Sequence, residues 1–248
     1  MSPRQPVMSG FGVPPVTRGV KWLGIVTLAV TLASTVFGDA GHALAAHLAF
    51  IPSGLKQLHL WTPFTYTFLN LDPFGLIFAL LGLWLLGAAL EQQWGTRRFV
   101  TFYFLTGAAG ALATALLSLA APAVKLHAYY GNWSSLEGLI AAFAVLMPNA
   151  QIFLYFVPVQ ARWMLPISAG ITILFMLMTG WVPYLPQLFG LGAGVAFAGG
   201  VGRGNLLLRL KVWWIDRRLR RSRLRVVRGS EEDPFGTRPG RGSDKFLH

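Results

Sequence analysis

The sequence predicts an all-α membrane protein: six transmembrane helices, an interfacial loop after the first helix, and a basic tail on the cytoplasmic side. Three observations carry this expectation. Apolar residues make up 54% of the 248-residue chain, charged residues only 12%, and the mean hydropathy is +0.54. That is too little charge to cover the surface of a soluble protein. The apolar residues come in blocks of about 20, the length a roughly 30 Å hydrocarbon slab requires, and the blocks are apolar all round rather than along one stripe. Finally, 13 of the 21 Lys and Arg lie beyond Val201, directly after the last block. The positive-inside rule and attraction to anionic lipid headgroups explain that clustering more simply than nucleic acid does, so no nucleic-acid partner is expected. The chain has no cysteine, which excludes disulfides, thiolate metal sites and a cysteine nucleophile. No metal or other cofactor is expected.

Residues 1–19 are rich in Pro, Gly and Ser and read as a disordered cytoplasmic tail. The first apolar block, Val20 to Phe37, is as long as a spanning helix and sits behind polar residues, so it reads as a retained helix rather than a signal peptide. Residues 39–71 contain His42, His47, Lys56, His59 and Trp61; they are too polar to span and suit a folded interfacial loop. Asp72-Pro73 is a helix start, a capping side chain followed by proline at the first helical position, and opens a helix to Leu90. Glu91 to Arg98 reads as a polar hinge. The third helix covers Phe99 to Ala121, and Pro122 to Trp133 is a short loop. The fourth runs from Ser134 to Met147, with a resumption through Ile152 to Val157 as an option. The fifth covers Trp163 to Gly180 and the sixth Pro186 to Leu207. Residues 209–228 carry Trp213, Trp214, Ile215, Leu219 and Leu224 among arginines, the pattern of a basic amphipathic helix, and the chain after Gly229 reads as disordered. The membrane domain is thus 20–207 and the cytoplasmic tail 208–248.

Loop charges set an orientation. With the N-terminus in the cytoplasm, Arg4, Arg18, Lys21, Arg97, Arg98, Arg162 and the tail fall inside, and only Lys56 and Lys125 outside. Six helices put both termini in the cytoplasm. A compact bundle without a large soluble domain is compatible with a bacterial inner membrane and also with an endomembrane. Arg217, Arg218, Arg220 and Arg221 read either as a headgroup-binding patch or as a topology signal alone. Small residues at four-residue spacing, Gly107/Ala111 and Gly110/Thr114 in the third helix and Gly190/Gly194 in the sixth, predict close helix packing.

Several short motifs keep a characteristic order. Leu60-Trp61-Thr62-Pro63-Phe64-Thr65 ends the loop. Gly87-Ala88-Ala89-Leu90-Glu91, Trp94-Gly95 and Arg97-Arg98-Phe99 lie at the hinge. Pro148-Asn149-Ala150-Gln151-Ile152 and Pro158-Val159-Gln160-Ala161-Arg162-Trp163 link the fourth and fifth helices, and Gly190 and Gly194 mark the last. Across Trp61 to Gly200 this layout resembles the rhomboid family of intramembrane serine proteases. The resemblance implies a bundle that hydrolyses peptide bonds with a Ser–His dyad, the serine in Gly-x-Ser-Gly atop the fourth helix and the histidine on the sixth.

The chain departs from that pattern at each place. Gly131-Asn132-Trp133-Ser134 stands where Gly-x-Ser-Gly is expected, so Trp133 takes the nucleophile position. Gln187, three before Gly190 and seven before Gly194, takes the histidine position. Asn70, Gly75 and Ala79 stand where the second helix of the family has His, His and Asn. Glutamine is no general base near neutral pH, and glycine and alanine offer no side-chain donor. None of the five histidines, His42, His47, His59, His127 and His248, falls in an expected spanning helix.

The chain also resembles the catalytically silent relatives of rhomboids, the derlins and the rhomboid-like transmembrane proteins of the Golgi; its Leu-Trp-Thr and Leu-Glu-x-x-Trp-Gly pieces are close to the latter. The reading is a pseudoprotease that binds transmembrane clients or partners. The alternatives are a protease with displaced residues, Ser134 or Ser135 with His127, and a structural or transport protein. Ser134-Ser135-Leu136-Glu137 reads more simply as a capping box, Ser134 and Glu137 bonding each other's amides. Trp133 either fills a former substrate entrance or anchors at the interface. Gln187 is expected to bond across to the fourth helix, a loop His127 to be solvated, and Asn70 to serve the turn before Asp72.

Overall fold

The computed structural model of the chain describes residues 14–154 and 157–202. Residues 1–13, the tail 208–248 with Arg217, Arg218, Arg220 and Arg221, and the amphipathic segment 209–228 lie outside them. Helix α1 (Arg18–Val36) is followed by a folded loop made of α2 (Gly38–Leu48), a 3₁₀ turn (Pro52–Gln57), the short α3 (Thr62–Thr65) and a second 3₁₀ turn (Tyr66–Phe68). Then come α4 (Pro73–Trp94), α5 (Thr96–Leu117), the four-residue α6 (Pro122–Lys125) and α7 (Trp133–Leu146). A two-stranded hairpin, β1 (Gln151–Leu154) and β2 (Val157–Gln160), leads into α8 (Ala161–Thr179), and α9 (Leu185–Gly202) closes the described bundle.

Four of these helices, α1, α4, α5 and α8, are long and apolar enough to cross a membrane. The side chains of α8 show why burial in water is no option: only Ala161 and Thr172 are buried, while Ile167, Ile171, Leu174, Phe175, Leu177 and Met178 are exposed. Such a surface is at home in lipid. Helix α7 has 14 residues and α9 reaches the edge of the described residues at Gly202, so the expected count of six spans is not fixed by them.

Local chemistry explains the starts and stops. Asp72 accepts the amide of Gly75 at 2.5 Å with Pro73 at the first helical position, the expected cap. Helix α4 runs through to Trp94, with a π-helical turn at Leu83–Gly87. The hinge expected over Glu91 to Arg98 therefore narrows to Gly95, whose φ of +79° is natural only for glycine. The optional resumption of the fourth helix through Ile152 to Val157 does not occur. Pro148 follows Leu146 closely, Pro158 has no amide to continue a helix, and the chain pairs antiparallel instead, Gln151 opposite Gln160 and Leu154 opposite Val157.

The loop after α1 is held by Phe50 and Tyr129, whose backbones exchange hydrogen bonds of 2.9 and 2.7 Å, and by the indole of Trp61 donating to the carbonyl of His47 at 3.2 Å. Phe50, Tyr66, Ala111, Val124, Tyr129 and Leu185 pack beneath it. A larger apolar core joins α1, α4, α5 and α7 through Leu23, Leu83, Leu90, Phe99, Tyr103, Leu139 and Phe143.

Candidate functional site

Of the sequence-predicted site residues, Ser134, Ser135, Gly190 and Gly194 gather where α5, α7 and α9 meet. Gly131, at φ +97°, turns the chain into α7 and donates its amide to the carbonyl of Tyr66 at 3.1 Å. The small residues then let three backbones approach. A Cβ on Gly190 would run into the backbone carbonyl and hydroxyl of Ser134; one on Gly194 would lie 2.6 Å from the carbonyl of Gly138; one on Gly107 would lie 2.6 Å from Ser135 Oγ. Gly190 and Gly194 are thus packing residues, as their spacing implies.

Both serines point into this junction and neither caps the helix. Ser134 Oγ donates to the carbonyl of Thr106 at 3.3 Å, and Ser135 Oγ to the carbonyl of Tyr103 at 2.9 Å. The expected capping box is therefore absent. Helix α7 begins one residue earlier, at Trp133, and Glu137 turns away to α8, where Ser168 Oγ and Thr172 Oγ1 donate to its carboxylate, the latter at 3.4 Å. A buried acid finds better donors in the neighbouring helix than in the first turn of its own.

Around the serines lies a buried set of polar groups with few good partners. Among the described residues, Asn70 Nδ2, Asn132 Oδ1 and Nδ2, and Tyr103 Oη make no hydrogen bond of good geometry, Tyr103 Oη lying close to Asn132 and Ser135; Asn70 is only 2% exposed and Asn132 fully buried. Tyr66 Oη, by contrast, donates to the carbonyl of Gly107 at 2.8 Å. Asn70 uses its backbone amide to bond Thr31 Oγ1 at 3.2 Å, while its side chain lies beside Gly131 rather than serving the turn at Asp72. Unpaired buried amides and phenols cost free energy of about 1–3 kcal/mol each, and ordered water commonly satisfies such groups.

The remaining predicted positions sort as follows. Trp133 is half-buried at the first residue of α7 with its indole against Gly131. Gly75 and Ala79 are buried in α4. Gln187 is half-buried one turn before Gly190, and no hydrogen bond joins it to α7 among the described residues. His127 stands in the loop before α7, its ring 4.8 Å from that of Tyr129, and is not bonded to either serine. Burial lowers the His127 pKa below the ordinary 6.5 and pushes the Tyr129 phenol up to about 12. His47 and His59 cluster with Trp61 in the loop after α1. Sequence reasoning missed Tyr66 and Tyr103; a tyrosine inside an otherwise apolar helix is the signal that marked the second.

Serine needs an adjacent base to attack a carbonyl. Here each serine hydroxyl donates to a main-chain carbonyl of α5, and among the described residues no histidine is bonded to either. Comparison with curated proteins gives no match. The model of the family described as Rhomboid domain matches residues 57–204, well over half the chain, from the loop after α1 to the end of α9. The chain belongs to the rhomboid family and is an integral membrane protein of that fold.

Proposed function

We propose that this protein is a rhomboid-like pseudoprotease that captures transmembrane clients without cleaving them. The observation that carries the reading is the head of α7: two buried serines bonded to α5 carbonyls, surrounded by poorly paired Asn70, Tyr103 and Asn132. A client helix with a broken turn exposes peptide groups that those amides and that phenol can satisfy. An intact helix exposes none. Gln187 and Trp133, at the family's histidine and nucleophile positions, fit the same reading. In this proposal both termini face the cytoplasm in a bacterial inner membrane, the bundle spans 20–207, and Arg217, Arg218, Arg220 and Arg221 of the tail rest on anionic headgroups.

The reading is tested with two fluorescent single-span peptides in nanodiscs, one with a central Gly-Pro break and one of unbroken Leu-Ala repeats. Capture of the broken peptide, weakened by Asn132→Ala and by Asn70→Ala, is the expected result. Equal capture of both peptides, or indifference to both substitutions, overturns it.

A further inference from the structure

A second candidate lies between α1 and α4, and none of its lining residues belongs to the site at the head of α7. Helices α1 and α4 do not close against each other along their whole length. Between them runs an open groove of about 270 Å³, lined by Val20, Gly24 and Leu28 on α1 and by Leu80, Leu83 and Trp84 on α4. Val20, Gly24 and Leu28 are spaced four apart, so they form one row along α1. From Val20 to Leu28 the row covers about 12 Å, most of the roughly 15 Å that one leaflet contributes to the hydrocarbon core.

Three features make this groove more than a gap. Gly24 forms its floor, and a Cβ there would meet only Leu80 Cδ2 at 3.7 Å, so the glycine leaves space rather than permitting a close contact. Helix α4 carries its π-helical turn at Leu83–Gly87, where Leu83 and Trp84 line the groove; such turns widen a helix locally and are frequent at functional sites. The indole of Trp84 is fixed by donating to the carbonyl of Pro14 at 3.0 Å, near the start of α1.

The charge around that end selects the ligand. Exposed Lys21 lines the groove and Arg18 is one turn away. Glu91 ties the end of α4 to Gly19 and Val20, which brings Arg97 and Arg98, at the start of α5, to the same end of the bundle. Lys21 therefore stands at the edge of an apolar groove, with Arg18 one turn away and Arg97 and Arg98 at the same end of the bundle, and Glu91 is engaged with the start of α1. We propose that the groove holds one acyl chain of an anionic phospholipid, its phosphate facing Lys21 and its chain running along Gly24 toward Leu28.

The test uses the full chain in nanodiscs with phosphatidylglycerol carrying a photoreactive diazirine in one acyl chain. Expected is cross-linking concentrated in peptides spanning 16–28 and 80–84. Gly24→Leu, which fills the floor without meeting backbone, lowers that labelling about tenfold. Lys21→Gln, at an exposed position, lowers the preference for phosphatidylglycerol over phosphatidylcholine about fivefold while leaving groove labelling by the latter. Labelling spread evenly over exposed faces such as α8, or unchanged in Gly24→Leu, overturns the proposal. So does a disulfide-linked dimer of Ile25→Cys, which in a chain without native cysteine would put a second copy in the groove.

Discussion

The carboxylate of Glu91, near the end of α4, accepts the backbone amide of Gly19 at 2.8 Å, across 72 residues of sequence. It also accepts the amide of Val20 at 3.0 Å, the hydroxyl of Thr96 at 2.6 Å and that of Thr17. The start of α1 has no side-chain cap of its own, so a distant acid satisfies its orphan donors and its positive helix end. Glu91→Ala is expected to lower stability by at least about 2 kcal/mol, since charge-assisted bonds to buried amides are lost together. Glu91→Gln, which keeps one acceptor oxygen, loses less. Thermal unfolding in detergent measures both; equal stability of all three proteins would show that the bonds contribute nothing net.

Gly190 meets the Ser134 backbone, whereas Gly170 on α8 has open space around it. Gly190→Ala is expected to cost about 1–3 kcal/mol, because main chain rather than a flexible side chain must move. Gly170→Ala is expected to be neutral or to stabilise by up to about 1 kcal/mol through helix propensity. The same unfolding assay compares them directly, and a reversed order would contradict the packing described at the α7–α9 contact.

Glu137 is the polar tie between α7 and α8, through Ser168 and Thr172. With little of α8 otherwise buried, Glu137→Ala is expected to loosen that helix, at a cost of about 1–2 kcal/mol. Hydrogen exchange is the suitable readout, since local opening shows there before global unfolding. Faster exchange confined to 161–179 is the expected result.

His127 gives a pH prediction with a definite sign. Burial favours its neutral ring, so the folded protein binds this proton less readily than the unfolded chain, whose value is near 6.5. The stability it contributes is present above that value and is lost as pH falls through the lower folded value. NMR titration should place the His127 midpoint below 6.5, and His127→Phe should flatten the acid limb of the stability curve. A midpoint above that value would mean that an acceptor rather than burial governs the ring.

Much of the fold was legible in the sequence because bilayer chemistry writes in long blocks. The Asp72-Pro73 start, the folded loop after α1 and the Gly190/Gly194 packing row all follow from local residues, and all are present. What was not legible depends on partners far along the chain. Glu91 looked like part of a hinge because its donors at Gly19 and Val20 are about seventy residues away. Ser134 and Glu137 have capping-box spacing, yet carbonyls of α5 and hydroxyls of α8 outcompete the local bonds. The hairpin at 151–160 lies in a stretch too short and apolar for periodicity to separate strand from helix. At the site, the order of motifs led to Trp133, Gln187 and Asn70, but the buried cluster that joins Asn70 with Tyr103 and Asn132 needed three dimensions.

The central claim is that no activated serine exists at the head of α7. Its most direct test is labelling of the purified, detergent-solubilised protein by a serine-reactive fluorophosphonate, with Ser134→Ala and Ser135→Ala alongside. The account predicts no labelling in any of the three. Labelling of the unaltered protein that disappears in one variant would contradict it, and would make this chain a protease with a displaced nucleophile.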